Sequence, residues 1–581
     1  MDSWLTDTAT TERFPLYTRG NADEVGPQPF PPLTWSLAWE RGASPGTADA
    51  WVHLGAFRPE EFRQPVPEVF GCWGGYFYNQ VSVGRVFGVR VPGGSPDAID
   101  QAYFGGNPDV PPYAPDPRDE DPTLSEAVGA RLGEILGAEA TPSYAKDFFA
   151  EVRRWAAERP DLTSLSDADL VAHGRAACLR LRRTWDVYAQ IVVSASVGPG
   201  AVHAIASALG RGDDAVAVFT SLGGVETAGT ARQVWELSRL VRRSPGLTAA
   251  FDEGTADLLD RLDAASEPDA ARFAVGFRSL LAEYGHRGPN EWDLASDTWL
   301  TRPGIALGMI DLIRLQDDEQ SPAERAAAGA TLRERTTAEL AALVSGDEAT
   351  LATLSAAIRS GQLFYRTREA GKDAAVRVML EAKLPFFELG RRLQERGVVG
   401  QAAHVFQLVD SELDELLAQP DGWSAVLAER AAGFAQLAER EPPYTVVHGA
   451  PVPPIGAWPL RGRARDGVEP AAAGDALTGI GVSPGVVSGR ARVVYDVSEA
   501  ADLEPGDVLV CGTTDPSWVP LFMVAGGMVC EIGAQASHAA IVSREMGVPC
   551  AVSVVGARSR IPAGALVTVD GSTGVVTVVE T

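Results

Sequence analysis

The chain has 581 residues, a formal charge of −27 and 45% hydrophobic residues. It is too long for one hydrophobic core and ordinary for a water-soluble protein, so about two to four domains are expected. The acidic balance repels nucleic acid and anionic membrane, serving solubility instead, and no run approaches the uninterrupted apolar length of a membrane span.

The N-terminus, Met1-Asp-Ser-Trp-Leu-Thr-Asp7, lacks the shape of a signal peptide. Five cysteines, at 72, 178, 511, 530 and 550, form no C-x-x-C pair. That spacing argues against a disulfide framework or a zinc site and for a reducing compartment, so a cytoplasmic protein with no metal site is expected.

Residues 1–125 are rich in Pro, Gly and aromatics, with strand-like runs at Val81-Ser-Val83 and Val86–Val91. Prolines at 27, 29, 31 and 32 and again from 108 to 117 forbid long helices there. Trp35, Trp39, Trp73, Tyr76, Phe77 and Tyr78 make this part dense in aromatics. Core packing accounts for most of them, with Trp35, Trp73 and Tyr76 as candidate walls of a pocket for an apolar substrate.

From 126 to 440 the pattern is helical. Ser166-Asp-Ala-Asp169 reads as a variant capping box before a helix from Leu170 to Ile191. Apolar residues recur at helical spacing over Arg232–Val241, Arg272–Tyr284, Ala323–Val344, Leu351–Ala370, Ala374–Glu395 and Ala425–Glu439. Gly198-Pro-Gly200 and Gly223-Gly224 are expected to break helices into loops. Residues 441–477, with paired prolines and Ala471-Ala-Ala-Gly474, read as a linker to a last domain at 478–581.

Two constellations stand out in the helical part. Tyr284-Gly-His-Arg-Gly-Pro-Asn-Glu-Trp-Asp-Leu294 packs His286, Arg287, Asn290, Glu291 and Asp293 into one Gly/Pro loop. Such density suggests a site, with a solvated loop as the alternative. In Arg368-Glu-Ala-Gly-Lys372 the two cations lie four residues apart, on one helix face. They either clamp a phosphoryl group or form an exposed charged face.

The last domain is organised around Gly533–Pro549. A small-residue loop ends at Ser537-His538, a helix-compatible run follows to Met546, Gly547 occupies the helix C′ position, and Pro549 stops it. His538 therefore falls at a helix N-terminus, where the dipole and N–H groups favour an anion. A neutral imidazole there is a competent nucleophile.

Gly481-Val-Ser-Pro-Gly485, Gly489–Val493, Leu503–Val510, Thr513–Trp518, Glu531-Ile-Gly533, Ser537–Val542, Arg544–Pro549 and Val569–Gly574 together resemble the swivelling phosphohistidine domain of the phosphoenolpyruvate-utilising enzymes. Leu16–Val25, Pro31–Ser36 and the Tyr284–Leu294 loop resemble the substrate domain of rifampicin phosphotransferase, a member of that group. The resemblance implies a multidomain fold: a mostly α-helical substrate-binding domain with a Pro/aromatic-rich N-terminal part, plus a C-terminal α/β swivelling domain. It implies that His538 is the phosphoryl carrier, supported by Ser537 and Glu531. His286 is then a candidate general base, Arg287 a phosphate ligand, and Glu291 or Asp293 the group that orients the base; Asn290 joins the substrate contacts.

The chain departs from the pattern at Ala374, where the rifampicin enzymes have glutamine, and at Ala534 and Cys530. No ATP-grasp segment is recognised. The arrangement is therefore similar to the histidine-bearing subunit of phenylphosphate synthase, and ATP and Mg²⁺ are expected to act through a separate ATP-grasp partner. The expected activity is a dikinase-type transfer to a small-molecule hydroxyl; a dehydratase and a non-catalytic phosphoryl carrier are the alternatives.

Overall fold

The computed structural model describes residues 5, 7–104, 110–223, 226–265, 267–318, 321–461, 469–495, 503–514, 518–533 and 537–581. The chain divides into two compact units. Unit 1 comprises Met1–Val197, Trp292–Ala295 and Ala370–Ala464; unit 2 comprises Gly198–Glu291, Ser296–Glu369 and Arg465–Thr581. The segment 126–440 thus contributes to both.

Unit 1 holds a four-stranded antiparallel sheet made from β1 (Leu16–Thr18), β2 (Phe70–Trp73), β3 (Tyr76–Gln80) and β4 (Thr445–Val447), ordered β2-β3-β1-β4. Gly74 and Gly75, at φ 54° and 76°, make the two-residue turn that pairs Trp73 with Tyr76. The unit also contains helices Pro122–Leu136 and Ser143–Ala157, and a π-helical segment at Thr34–Ala43. Asp121 caps the first of these helices by accepting from the N–H groups of Thr123 and Leu124. Ser166 caps a later helix, Asp167–Ala208, as expected, accepting from Asp169 N–H at 3.2 Å and donating its hydroxyl to the Asp169 carboxylate at 2.6 Å.

Several local expectations are corrected. Val81–Arg90 is a helix, not strand. Gly84 and Gly88, one turn apart, bring it against the helix Pro96–Phe104: a Cβ at 84 would lie 3.2 Å from Ile99 and one at 88 only 2.7 Å from the Ser95 carbonyl. Close packing overrides the β-branched preference. Gly198-Pro-Gly200 does not break a helix but lies inside Asp167–Ala208. Gly198 packs on the backbone of Gly361, 2.6 Å from where its Cβ would be; this close contact offsets the ~3 kcal/mol that a helical proline costs. Gly223 is in a loop at φ 65°, while Gly224 lies outside the described residues.

The expected helices Leu351–Ala370 and Ala374–Glu395 are one helix of 48 residues, Glu348–Glu395. Asp167–Ala208 is also, by length and composition alone, apolar enough to cross a membrane, contrary to the expectation from sequence. The first half of the expected linker is structured within unit 1. β4 pairs with β1, Arg440 bridges Leu460, and Trp458 is buried against Tyr76. The rest of the stretch includes 462–468, outside the described residues.

In unit 2, helices Glu226–Arg243, Pro268–Tyr284, Gly304–Arg314 and Pro322–Leu343 accompany an eight-stranded sheet. Its strands are β5 (Ala476–Thr478), β6 (Ile480–Ser483), β7 (Val486–Val493), β8 (Val508–Cys511), β9 (Gly527–Cys530), β10 (Cys550–Val552), β11 (Leu566–Asp570) and β12 (Val575–Glu580). The order is β5-β12-β11-β7-β8-β9-β10-β6, with β7 to β10 mutually parallel. Alternate residues face two cores. Leu509, Cys511, Met528 and Cys530 join the helices of unit 2 on one side, and Val508, Val510 and Val529 fill the other.

Candidate active site

The parallel strands β8 and β9 run out at the same end of the sheet, and the loops beyond them carry the chemistry, as in other parallel α/β sheets. His538 is the first residue of the helix His538–Met546. Ser537 caps it, accepting from Ala540 N–H at 3.2 Å, and Gly547 ends it at φ 64°. Both ends therefore follow the local rules that the sequence displays. The imidazole Nδ1 lies 3.0 Å from the hydroxyl of buried Thr514, just past β8, and the ring meets Phe522 edge-on at 6.0 Å. In the tautomer whose Nδ1–H donates to Thr514, the ring lone pair that a nucleophile needs is on Nε2.

Glu531, expected to support His538, is hydrogen-bonded to Arg558. It accepts the backbone N–H of Arg558 at 2.8 Å and Arg558 Nε at 2.6 Å, an ion pair that holds the turn after β10. Residues 534–536, and 515–517 of the Thr513–Trp518 block, lie outside the described residues.

The Tyr284–Leu294 loop is not a solvated loop. His286 is 3% exposed, Arg287 7%, Glu291 3% and Asp293 9%. Arg287 donates to Glu291 at 3.3 Å, and Asn290 takes a left-handed φ of 46°. His286, Arg287, Asn290 and Glu291 belong to unit 2 and Asp293 to unit 1. The Asp293 carboxylate accepts from Thr34 Oγ1 at 2.6 Å and from Ala295 N–H at 3.0 Å, pinning the start of the π-helical segment. Buried charges need such partners, so this loop is built rather than incidental.

Arg368 and Lys372 do share one face of the helix Glu348–Glu395. Arg368 belongs to unit 2, where it lies 3.7 Å from the buried Glu369 carboxylate; Lys372 belongs to unit 1. Trp35, Trp73 and Tyr76 are buried in unit 1. Trp73 packs edge-on between Tyr17 and Tyr78, and the Tyr76 hydroxyl donates to the carbonyls of Leu437 and Arg440, so these two serve the core. Trp35 joins the largest cluster of the unit.

Sequence reasoning missed Thr514, Phe522, Glu369, Arg544 and Glu545. Spacing held a signal for the last of these. Ile541 and Glu545 follow His538 at i+3 and i+7, on the same helix face. Within unit 2 that face packs on the residues that precede Arg368. Ile541, Arg544 and Glu545 line one crevice with Phe219, Tyr365 and Glu369, and the Arg544 guanidinium lies 5.5 Å above the Tyr365 ring.

Two stretches of the chain match known protein families. Residues 188–369 match the rifampicin phosphotransferase fourth domain, and residues 503–574 match the PEP-utilising enzyme mobile domain. The stretch that matches the mobile domain contains His538, and the stretch that matches the fourth domain contains the His286 loop and Arg368. An uncharacterized protein of Mycobacterium tuberculosis is 30% identical over 99% of this chain and 62% of its own length. A rifampicin phosphotransferase of Streptomyces sviceus is 30% identical over 56% of this chain and 36% of its own. The prodigiosin synthesizing transferase of Serratia marcescens is 29% identical over 62% of this chain and 39% of its own. The chain thus spans less than two thirds of the length of these relatives.

Thr514→Val keeps the volume but removes the hydroxyl beside the imidazole of the mobile domain. A net hydrogen bond of ~1 kcal/mol corresponds to about a fivefold slowing of the phosphorylation expected at His538. Thr514→Ser is expected to restore it, and the imidazole tautomer read by ¹⁵N NMR should shift in the valine variant alone.

Proposed function

We propose that this chain is a phosphotransferase component in which His538 carries a phosphoryl group from a separate ATP-grasp protein to a hydroxyl of a small-molecule acceptor. One observation supports the reading most. The capped helix that opens with His538 packs, through Ile541, Arg544 and Glu545, on the fourth-domain residues next to Arg368. The carrier nitrogen and the acceptor-side cation thus belong to one compact unit.

ATP with Mg²⁺, held by the partner, supplies the phosphoryl group. Loading forms a bond from His538 Nε2 to phosphorus as the donor P–O bond breaks, and the Thr514 hydroxyl stabilises the positive charge that the ring gains at Nδ1–H. In the second step the acceptor oxygen bonds to phosphorus as the N–P bond breaks, returning the neutral imidazole. His286, buried in the same loop as the Arg287–Glu291 pair, takes the proton of the acceptor hydroxyl. Arg368, with Lys372 one turn on, offsets charge on the phosphoryl oxygens in flight. The setting is cytoplasmic.

The test uses ATP labelled separately at the β and γ positions. Phosphoryl transfer needs the donor oxygens cradled and neutralised in line with the nucleophile, which a nine-residue helix does not supply. The chain alone is expected to stay unlabelled, and an added ATP-grasp protein to label His538 from the β position, with AMP and inorganic phosphate as products. Stoichiometric labelling without the partner would remove the split-donor reading. Mass spectrometry of the acceptor separates a phosphate ester from an elimination product, and the latter would favour the dehydratase.

A further inference from the structure

The loop Val218–Gly223 of unit 2 is held almost wholly by its carbonyls. Gln362 donates to Val218 at 3.2 Å, Arg333 to Thr220 at 2.8 Å and to Ser221, and Arg366 to Leu222 at 2.9 Å and to Gly223 at 3.2 Å. Ser221 sits at φ 48°, a left-handed conformation unusual for serine. Gly329 makes room for it, since a Cβ there would overlap the serine side chain. A loop held in a costly conformation by this many side chains is over-determined, and such loops cluster at switch and clamp positions.

What the loop presents is a seat for the C-terminal turn of the His538 helix. Ser221 Oγ donates to the Arg544 carbonyl at 3.4 Å, and Leu222 N–H to Glu545 Oε1 at 3.4 Å. Glu545 and Glu369 line the same crevice. The groups that face Glu545 are Leu222 N–H from the loop, Glu369 from the helix Glu348–Glu395, Arg333 from the helix Pro322–Leu343, and Arg544 from its own helix.

We propose that Glu545 and the Val218–Gly223 loop form a proton-dependent latch that holds the mobile domain in its acceptor-side position. This rests on the reading that the mobile domain travels between a donor and an acceptor. Burial first, then the Glu369 carboxylate, pushes the Glu545 carboxyl up, against the opposing pull of Leu222 N–H, Arg544 and Arg333. Released to solvent, the carboxyl returns to an ordinary value of about 4.3. The seated form therefore binds the proton more tightly. Seating takes up a proton and weakens as pH rises from that value through the raised one. Because the seat lies seven residues along the helix from His538, it positions the imidazole without touching the reacting atoms.

The experiment places spin labels at Leu343→Cys and Val486→Cys, two exposed positions of unit 2, in the full chain whose five native cysteines are buried. Pulsed distance measurement from about pH 5 to 8 is expected to show two populations, with the seated one falling several-fold as pH rises. Glu545→Gln, which mimics the protonated carboxyl, should keep the seated population high and independent of pH. Two populations that respond to pH identically in both proteins would overturn the latch and leave the travelling domain intact. A single distance at every pH in both proteins would overturn both.

Discussion

His538→Ala is expected to abolish phosphoryl uptake, with activity falling on the order of a million-fold, to background. Among the described residues, no group beside His538 can replace the imidazole as carrier. Thr514 is buried, and its hydroxyl serves the ring. The fold should survive, because Ser537 still caps the helix through Ala540 N–H and alanine is a strong helix former. The lost contact with Phe522 is one edge-on ring pair, so the melting temperature should move by no more than a few degrees. The measurement is transfer of labelled phosphoryl from the reconstituted donor, with the label on the wild-type chain acid-labile and base-stable, as an N-linked phosphate is. Full activity in the alanine variant would show that the carrier lies elsewhere.

Substitution of Arg368 is expected to slow transfer to the acceptor about a hundred- to a thousand-fold, the usual consequence of losing one transition-state donor, and to leave loading of His538 unchanged. The asymmetry follows from the proposed place of the cation, which meets the phosphoryl group only in the second half-reaction. The choice of variant matters because Glu369 is buried 3.7 Å away. Arg368→Ala would strip that carboxylate of a cation and destabilise the helix for reasons unrelated to catalysis. Arg368→Lys keeps the charge but loses the planar fork, so a large effect from it identifies bidentate recognition of the phosphoryl oxygens rather than charge alone. Lys372→Gln should act in the same direction. Single-turnover kinetics on pre-phosphorylated protein isolate the step, and equal slowing of both half-reactions would remove the assignment.

The helix that opens with His538 was legible from its residues alone. A serine cap, an apolar run and a left-handed glycine act within one or two turns, so no distant part of the chain has to be known. The Ser166 cap was legible for the same reason. The dense polar loop at 284–294 could be seen, but not that its charges are buried, because burial depends on what the rest of the fold lays over it.

Tertiary contact alone decided the remainder. Val81–Arg90 coils because Gly84 and Gly88 let another helix approach, and Pro199 stays helical because Gly198 meets the backbone of Gly361. Residues 445–447 become a strand because β1 offers an edge to pair with. Thr514 comes to His538 across 24 residues, and Glu545 finds Leu222 across 323. Periodicity and capping are local properties of the chain, whereas the partner of a buried polar atom is fixed only when distant segments close around it.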